Sequence, residues 1–309
     1  MKNKQTTSTL LMIRPVRFGF NEQTAESNAF QNKSDNKAED IQQKALEEFD
    51  NFVDLLRANG VKVIVVNDTV EPHTPDSIFP NNWISFHANG DVLMYPMQAE
   101  NRRLERREDI IRKIEEDYTV NHVIDLSRFE VQNKFLEGTG SMVLDRENKI
   151  AYACLSPRTD KEVLETFAKK EDYKAITFDA VDSQGKAIYH TNVLMCIGSS
   201  YVVICLDAIK DEIERGQLLD SFKNTGKEMV AITFDQMNHF AGNMLEVQST
   251  NGEKLLVMSK QAYQSLDDNQ AATLEKYIRI ICSDISAIET HGGGSARCML
   301  AEVHLQPKN

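Results

Sequence analysis

Three side chains in this sequence have the chemistry of a nucleophile, a proton carrier and an orienting carboxylate. Cys298 follows a glycine-rich segment, 291–297, in which the backbone can turn sharply and approach a ligand closely. His190 ends a loop-like segment before an apolar run, and Glu137 separates another apolar run from two glycines. These residue types predict nucleophilic catalysis by cysteine, with histidine as general acid and base. The structural alternatives are a core thiol, a solvated loop histidine and a turn-capping glutamate.

The other cysteines and the glycine motifs indicate neither a metal nor a cofactor. Five cysteines without a CxxC pair suggest no disulfide framework and no zinc site. Residues 138–140 (Gly-Thr-Gly) precede a strand rather than a helix, which argues against a dinucleotide-binding turn. The esterase-like segment 291–294 has no GxSxG elbow to accompany it. The remaining cysteines lie within apolar patterns and are interpreted as buried spectators: Cys154, Cys196, Cys205 and Cys282.

The three candidate residues lie at or just before segments that repeat along the chain. In each segment a small or polar residue ends a loop and an apolar strand follows at once, at intervals of 51 to 58 residues. Near-regular spacing of this size predicts repeated units arranged around an axis. Five equivalent loop ends would then converge on one place. The segments are 82–86, 140–144, 192–196, 243–247 and 298–302.

Each repeat is predicted to contain a hairpin, a helix and a closing strand. Asn-Gly and similar turns between apolar runs indicate the hairpins. Apolar residues at helical spacing predict the helices. The predicted helices are 39–59, 101–117, 160–170, 208–223 and 268–282, and the predicted closing strands are 61–66, 119–126, 173–179, 229–234 and 285–288.

The two ends of the chain are predicted to complete the fifth unit. Run 12–18 would supply the strand that the last segment, 298–305, lacks, and this closes the ring as one α/β domain over residues 1–309. The alternative is a chance alternation of helices and strands in an ordinary α/β protein. The polar stretch 19–38 is predicted to be a long loop, of the kind that often forms a lid or binding loop.

Composition and charge argue against several kinds of partner. The 309-residue chain has a net charge of -12 and contains no basic run suited to nucleic acid. No apolar stretch reaches the roughly 20 residues of a membrane span. An odd number of unpaired cysteines favours a reduced, cytoplasmic protein. The sequence leaves the oligomeric state open, a homo-oligomer included.

These residues and their order resemble the pentein guanidino-group-modifying superfamily of arginine deiminases, dimethylarginine dimethylaminohydrolases and amidinotransferases. The resemblance covers essentially the whole chain, because all five repeats occur in order. Segments 21–25 and 79–83 are most similar to the citrulline-utilisation hydrolase type. The most specific matches are Leu136-Glu137-Gly138, Leu155-Ser156-Pro157-Arg158-Thr159, His190-Thr191-Asn192 and the glycine-rich run into Arg297-Cys298-Met299.

The resemblance implies a five-bladed α/β propeller with pseudo-fivefold symmetry, and covalent catalysis without a metal or cofactor. Cys298 would attack the central carbon of a guanidino or ureido group. His190 would protonate the departing amine and then activate the hydrolytic water. Glu137 would orient the substrate nitrogens and hold His190 in a productive state. Arg158 and Arg102 fall where relatives place arginines that bind a substrate carboxylate.

Two asparagines distinguish this chain from its arginine deiminase relatives. Those relatives carry aspartate at the position of Asn192, and typically also at that of Asn82. Carboxylates suit a cationic guanidinium, whereas a carboxamide both accepts and donates and therefore suits a neutral ureido group. We therefore expect a small amino-acid substrate of the citrulline type, cleaved towards ornithine, carbon dioxide and ammonia.

Two other kinds of function remain open at this point. A deiminase-type hydrolase or an amidinotransferase acting on arginine or a methylated derivative would use the same cysteine, and Glu137 still supplies it with one carboxylate. A pentein that only binds its ligand would not need cysteine, histidine and glutamate at three separate loop ends. Substrate turnover and selective alkylation of Cys298 separate these functions.

Overall fold

In the part of the chain that the structure describes, five small sheets of three strands each form the framework, as the repeats predict. The computed structural model describes residues 4–25, 28, 30–32 and 37–308. The strands are β1 Thr9–Arg14, β2 Lys62–Asn67, β3 Ile84–Phe86, β4 Asp91–Met94, β5 His122–Asp125, β6 Val143–Asp145, β7 Ile150–Cys154, β8 Lys174–Phe178, β9 Met195–Ile197, β10 Tyr201–Ile204, β11 Glu228–Ala231, β12 Leu245–Gln248, β13 Lys254–Ser259, β14 Arg279–Ser283 and β15 Ala301–Glu302.

All five sheets share one topology, in which a middle strand has an antiparallel neighbour on one side and a parallel neighbour on the other. In the sheet of β3, β4 and β5, Leu93 of the middle strand lies opposite Ser85 on one side and Ile124 on the other. The hairpin turn before β4 contains Gly90 at a φ of 89°, a conformation that strains other residues. The middle strands β7 and β10 are buried along their whole length, which their continuous apolar runs explain.

A helical segment connects each middle strand to its parallel neighbour, because two parallel strands need a crossover connection between them. Three of these helices are preceded by an N-cap aspartate whose side chain accepts hydrogen bonds from the first turn, namely Asp160, Asp211 and Asp267. The helices are α1 Ala38–Ala58, α2 Glu100–Arg103, α3 Glu108–Asp117, α4 Gly138–Ser141, α5 Lys161–Glu171, α6 Thr191–Leu194, α7 Glu212–Asn224, α8 Phe234–Asn238, α9 Lys260–Ser265, α10 Asp268–Glu275 and α11 Ser286–Gly292.

The two ends of the chain meet in one sheet. β1 pairs in antiparallel fashion with β15, with Leu11 opposite Ala301, and in parallel fashion with β2, with Leu10 opposite Val63. The fifth unit is thus completed by an N-terminal strand, which lies at 9–14 rather than at the predicted 12–18, and the predicted α/β architecture of five repeated units is confirmed.

Three further predicted elements were wrong in detail. The helix expected at 101–117 is interrupted between α2 and α3, and the helix expected at 268–282 ends at Glu275. Residues 279–283 form β14, because Ile281 is buried in a parallel ladder with β13, a long-range contact that periodicity in a short apolar run does not reveal. The strand expected at 285–288 belongs mostly to α11. Ile285 and Ile288 are three residues apart, and both are buried, as on one face of a helix.

The core lies between the sheets and the helices that cover them. Phe49 and Phe52 of α1 are fully buried, and they pack in a cluster with Val257 of β13 and Leu300 beside β15. Among the residues that the structure describes, no helix is long and apolar enough to cross a membrane.

Candidate active site

Short helical turns just before the strands position the candidate residues. The sequence predicted loops that pass directly into strands, but α4 precedes β6, α6 precedes β9, and a 3-10 turn at Ala296–Met299 precedes β15. Glu137 directly precedes α4 and His190 directly precedes α6, and Cys298 lies within the 3-10 turn. Gly140 lies between the side chains of Asn82 and His190. A Cβ there would overlap the amide nitrogen of Asn82 and lie 2.9 Å from Nδ1 of His190, so the close approach requires glycine.

Glu137 and His190 form a buried hydrogen-bonded pair. Nε2 of His190 lies 2.8 Å from Oε2 of Glu137, and the backbone N–H of Gln98 donates to Oε1 of Glu137 at 3.0 Å. A carboxylate can only accept, so Nε2 of His190 carries the hydrogen. In the neutral ring Nδ1 is then the basic nitrogen, and it makes no hydrogen bond to any described residue.

The charges around this pair fix the protonation states of both groups. Burial alone would raise the pKa of Glu137, but Arg158, the hydrogen bond from His190 and Arg102 hold that pKa well below its usual value. Burial lowers the pKa of His190 to about 4, against the opposing effect of Glu137. At neutral pH the pair is therefore a carboxylate beside a neutral imidazole.

Cys298 is buried, and its sulfur lies against two carboxamides. Nδ2 of Asn243 lies 3.3 Å from Sγ and Nδ2 of Asn192 lies 3.5 Å from it. Asn243 also donates to the backbone oxygen of Asn192 at 2.9 Å and accepts from the backbone N–H of Arg297 at 3.1 Å. These contacts place hydrogen-bond donors beside the sulfur atom and give Asn243 a definite location next to the thiol.

The segment of Cys298 is joined at two points to the segment of His190. The first is the contact of Cys298 with Asn192, which lies in the first turn after His190. The second is a hydrogen bond at 3.0 Å from the hydroxyl of Tyr189 to the backbone oxygen of Gly293. Thiol, imidazole and carboxylate thus come from three different repeats and lie in one region.

Asn82 and Asn192 each have one polar atom that is buried and lacks a partner. Oδ1 of Asn82 accepts from Nη1 of Arg102 at 3.0 Å, whereas its Nδ2 has no partner among residues 4–25, 28, 30–32 and 37–308. Asn192 has the opposite arrangement, because its Nδ2 contacts Cys298 and its Oδ1 is unpaired. Buried polar atoms are normally hydrogen-bonded, so an unpaired donor and an unpaired acceptor indicate a ligand site.

The two predicted carboxylate-binding arginines are both buried within this region. Arg102 donates to both carboxylate oxygens of Glu105, at 2.8 and 3.0 Å, as well as to Asn82. Arg158 donates to Glu137 at 3.4 Å, and its guanidinium lies 4.9 Å from the ring centre of Tyr189. Arg102 is therefore engaged by protein acceptors at Nε, Nη1 and Nη2, and its role in binding a substrate carboxylate stays a prediction.

Asp76 is a buried acid of this region that sequence reasoning missed. Its Oδ2 accepts from Nδ2 of Asn21 at 2.8 Å and lies 3.7 Å from Nε of Arg102, whereas its Oδ1 is buried without a partner in the described chain. Burial raises its pKa, although Arg102 and Asn21 oppose this. The available signal was its position six residues before Asn82, in the same polar loop.

Part of the stretch 19–38 lies against the segment that leads to Cys298. Nδ2 of Asn28 donates to the backbone oxygen of Gly292 at 3.2 Å, and Nε2 of Gln31 donates to that of His291 at 2.9 Å. Residues 26, 27, 29 and 33–36 of the predicted lid lie outside the described residues. Asn28 and Gln31 thus lie beside the segment that leads to Cys298, and a lid or binding-loop role for the stretch stays a prediction.

Within the described ranges, no group of three or more histidine, cysteine, aspartate or glutamate side chains is arranged to hold a metal ion.

Solved structures with the same fold include three proteins of related description. The N-terminal domain of ArgZ, an arginine dihydrolase from the ornithine-ammonia cycle in Cyanobacteria, aligns with a TM-score of 0.75 at 17% identity over 96% of this chain and 97% of that one. Unliganded AgrE aligns with a TM-score of 0.74 at 18% identity, over 96% of this chain and 39% of the AgrE chain. A dimethylarginine dimethylaminohydrolase adduct with S-methyl-L-thiocitrulline gives 0.66 at 14% identity, over 95% and 98% of the two chains. The TM-scores establish a shared fold.

Family membership rests on a match of the sequence itself. No curated protein matches the chain significantly. A family model described as "N,N dimethylarginine dimethylhydrolase, eukaryotic" matches residues 14–305, which is nearly the whole chain. This match, together with five equivalent sheets and the fold of ArgZ and AgrE, confirms the pentein architecture. The chain belongs to the N,N-dimethylarginine dimethylhydrolase family, within the pentein guanidino-group-modifying superfamily.

Proposed function

We propose that this protein is a cysteine-dependent hydrolase of non-peptide C–N bonds in an arginine-related amino acid. Its preferred substrate is a neutral ureido compound of the citrulline type, which it converts with one water to ornithine, carbon dioxide and ammonia. The family match and the Cys298, His190 and Glu137 arrangement support the hydrolase class. A relative was solved as an adduct with S-methyl-L-thiocitrulline, and an ArgZ domain covalently bonded to a reaction intermediate, which supports covalent catalysis.

In the first half of the reaction, Cys298 forms a C–S bond with the ureido carbon. Its proton passes to Nδ1 of His190, the nitrogen that the Glu137 contact leaves basic. Glu137 stabilises the resulting imidazolium through Nε2. The amide N–H groups of Asn243 and Asn192 lie next to the sulfur that carries the charge. His190 then returns the proton to the departing nitrogen as the C–N bond breaks, which leaves a thiocarbamoyl adduct.

In the second half, a water molecule hydrolyses the adduct. Nδ1 of His190, now neutral again, takes a proton from the water as its oxygen attacks the carbonyl carbon. The C–S bond breaks and the Cys298 sulfur takes up a proton. The released carbamate decomposes to carbon dioxide and the remaining amine product, which is whichever of ornithine and ammonia did not leave in the first half. The same imidazole therefore acts as acid in one half-reaction and as base in the other.

The observation that carries the ureido assignment is the orientation of Asn82. A guanidinium can only donate, so the hydrogen bond from Arg102 fixes Oδ1 of Asn82 towards the arginine and leaves Nδ2 as an unpaired buried donor. A donor at this place suits a ureido oxygen, whereas a guanidinium substrate has no acceptor to offer. The unpaired Oδ1 of Asn192 and the carboxylate of Glu137 remain as acceptors for the ureido N–H groups.

The amino-acid end of the substrate requires an anion for its ammonium group and a cation for its carboxylate. The unpaired Oδ1 of Asp76 supports a role in binding the ammonium group. Arg158 is the arginine that we propose for the carboxylate. The carboxylate contact expected of Arg102 stays a prediction, and its contacts with Glu105 and Asn82 support a positioning role.

A second candidate is hydrolysis of arginine or a methylated arginine, which the family description and the arginine dihydrolase fold relatives favour. Glu137 supplies that reaction with one carboxylate. The two functions differ in stoichiometry. Citrulline yields one ammonia for each ornithine, a dihydrolase acting on arginine yields two, and a deiminase yields citrulline with one.

The deciding experiment incubates purified protein separately with citrulline, arginine and dimethylarginine, and measures ornithine, citrulline and ammonia. We expect ornithine and ammonia in equal amounts from citrulline. Arginine and dimethylarginine should form ornithine or citrulline more slowly. Cys298→Ser should abolish turnover, and Cys282→Ser, a partly buried cysteine outside the site, should retain it. Turnover of arginine alone would contradict the ureido assignment, and binding without turnover of any compound would indicate a binding propeller.

A further inference from the structure

The guanidinium that orients Asn82 is itself held by a carboxylate that does not contact the catalytic residues. Glu105 lies three residues after Arg102 and accepts from Nε at 2.8 Å and from Nη2 at 3.0 Å. This is the planar two-point geometry in which arginine and carboxylate bind each other most strongly. Both side chains are buried, each with 3% of its surface exposed, so solvent screens this contact little.

The same guanidinium reaches three further acceptors from this fixed position. Nη1 donates to Asn82 at 3.0 Å, and Nη2 contacts the backbone oxygens of Phe79 and Asp76, each at 3.4 Å. The two-point contact with Glu105 defines the plane of the guanidinium and therefore the direction of the Nη1 donor. Burial lowers the pKa of Arg102, but Glu105 and Asp76 more than offset this, so the group is charged.

We propose that Glu105 is a positioning residue that determines substrate specificity. It holds Arg102 in place, and Arg102 in turn keeps the carboxamide of Asn82 turned with its NH₂ group towards the substrate. This orientation selects a ureido oxygen and disfavours a guanidinium at the same position. The inference rests on the proposed function, because it explains how that site distinguishes the two substrate classes.

Without the carboxylate of Glu105, two other acids compete for Arg102. Oδ2 of Asp76 lies 3.7 Å from Nε, and Oε2 of Glu137 lies 4.0 Å from Nη1. A guanidinium drawn towards either one no longer directs Nη1 at Asn82. The amide can then rotate and present Oδ1 to the substrate, which is the acceptor that a guanidinium needs.

The test measures binding in a background that cannot turn substrate over. Kd values for citrulline and arginine are determined by calorimetry in Cys298→Ser, with and without Glu105→Gln. Both ligands carry the same ammonium and carboxylate groups, so any change in those contacts cancels in the ratio of the two Kd values. We expect Glu105→Gln to shift that ratio about tenfold towards arginine. The rotated amide of Asn82 then accepts a charge-assisted hydrogen bond from the guanidinium, and such a bond is stronger than a neutral one.

Glu130→Gln is the matched control. Glu130 makes a comparable two-point contact with Arg106, at 2.5 and 3.0 Å, and Arg106 does not contact Asn82. Its loss should leave the Kd ratio unchanged. If Glu105→Gln does not give folded protein, Arg102→Lys breaks the same planar contact and should also shift the ratio towards arginine.

A double-mutant comparison separates an effect through Asn82 from a general loss of structure. In an Asn82→Asp background the side chain has no amide to orient, so Glu105→Gln should leave the ratio unaltered. Equal weakening of both ligands in the Asn82 protein, with no change in ratio, would overturn the inference. The ratio before substitution of Glu105 tests the proposed function separately. If arginine binds more tightly there, the ureido assignment fails, whereas the effect of Glu105 is judged only by the shift.

Discussion

The side chains of Glu137 and His190 meet at 2.8 Å, between Oε2 and Nε2, and both are buried. They come from residues 53 positions apart in the sequence, each at the start of a helical turn before a strand. The contact fixes which ring nitrogen carries the hydrogen. In the proposed mechanism it also supplies a negative charge beside the protonated ring of His190. It therefore joins the geometry of the repeats to the proton chemistry of the site.

Glu137→Gln should lower kcat by about 100-fold or more, the usual range for losing general acid–base function. The amide keeps the shape of the side chain but removes the charge that stabilises protonated His190. Steady-state kinetics with citrulline measures the effect. Glu171→Gln removes another buried glutamate that lies 3.4 Å from a histidine, His87, away from the thiol, and it should retain turnover. An equal loss in both variants would mean that Glu137 acts only through protein stability.

The pH dependence of kcat/KM should show an acid limb near pH 4 rather than near 6.5. Burial lowers the pKa of His190 to about 4, so the imidazole of the free enzyme stays neutral and able to accept the thiol proton at higher pH. Below that pKa it is protonated in advance, and kcat/KM should fall tenfold per pH unit. Circular dichroism over the same range checks that the protein stays folded. An acid limb between pH 6 and 7 would contradict a buried, neutral imidazole.

The sequence could predict the repeats because their signals are local. Apolar runs beside turns such as the one at Gly90 define each hairpin, and equal spacing then assigns Glu137, His190 and Cys298 to equivalent loop ends. The unusual carboxamides at Asn82 and Asn192 were also visible, because they depart from a motif. For these residues, type and position along the chain carry the information.

Contacts between distant segments could not be predicted in the same way. The bond from Arg102 to Asn82 spans 20 residues, and the one from Asp76 to Asn21 spans 55, with no periodicity that links them. In the sequence, Glu105 is an ordinary charged residue within the predicted helix 101–117, although the structure buries it and pairs it with Arg102. The strand β14 was missed for a similar reason, since only its ladder with β13 distinguishes it from a continued helix.

A haloacetamidine should label one cysteine selectively at neutral pH, and that residue should be Cys298. It is the cysteine with amide donors around its sulfur, whereas burial raises the pKa of Cys154 and Cys196 to about 12 and also raises that of Cys282. Peptide mass spectrometry identifies the labelled site, and excess citrulline should protect it. Cys298→Ser should abolish labelling, and Cys282→Ser should not. Equal, unprotected labelling of several cysteines would argue against an active thiol.

Leu11→Ala should lower the free energy of unfolding by about 2–5 kcal/mol, the usual cost of truncating a fully buried leucine. Leu11 lies in β1 opposite Ala301 of β15, at the place where the two ends of the chain complete the fifth sheet, and it packs in one cluster with Trp83. Urea unfolding followed by tryptophan fluorescence measures the change. Val131→Ala, at a side chain that is 87% exposed, should alter stability by no more than about 0.5 kcal/mol. If Leu11→Ala were as mild as this control, the N-terminal strand would not be an integral part of the ring.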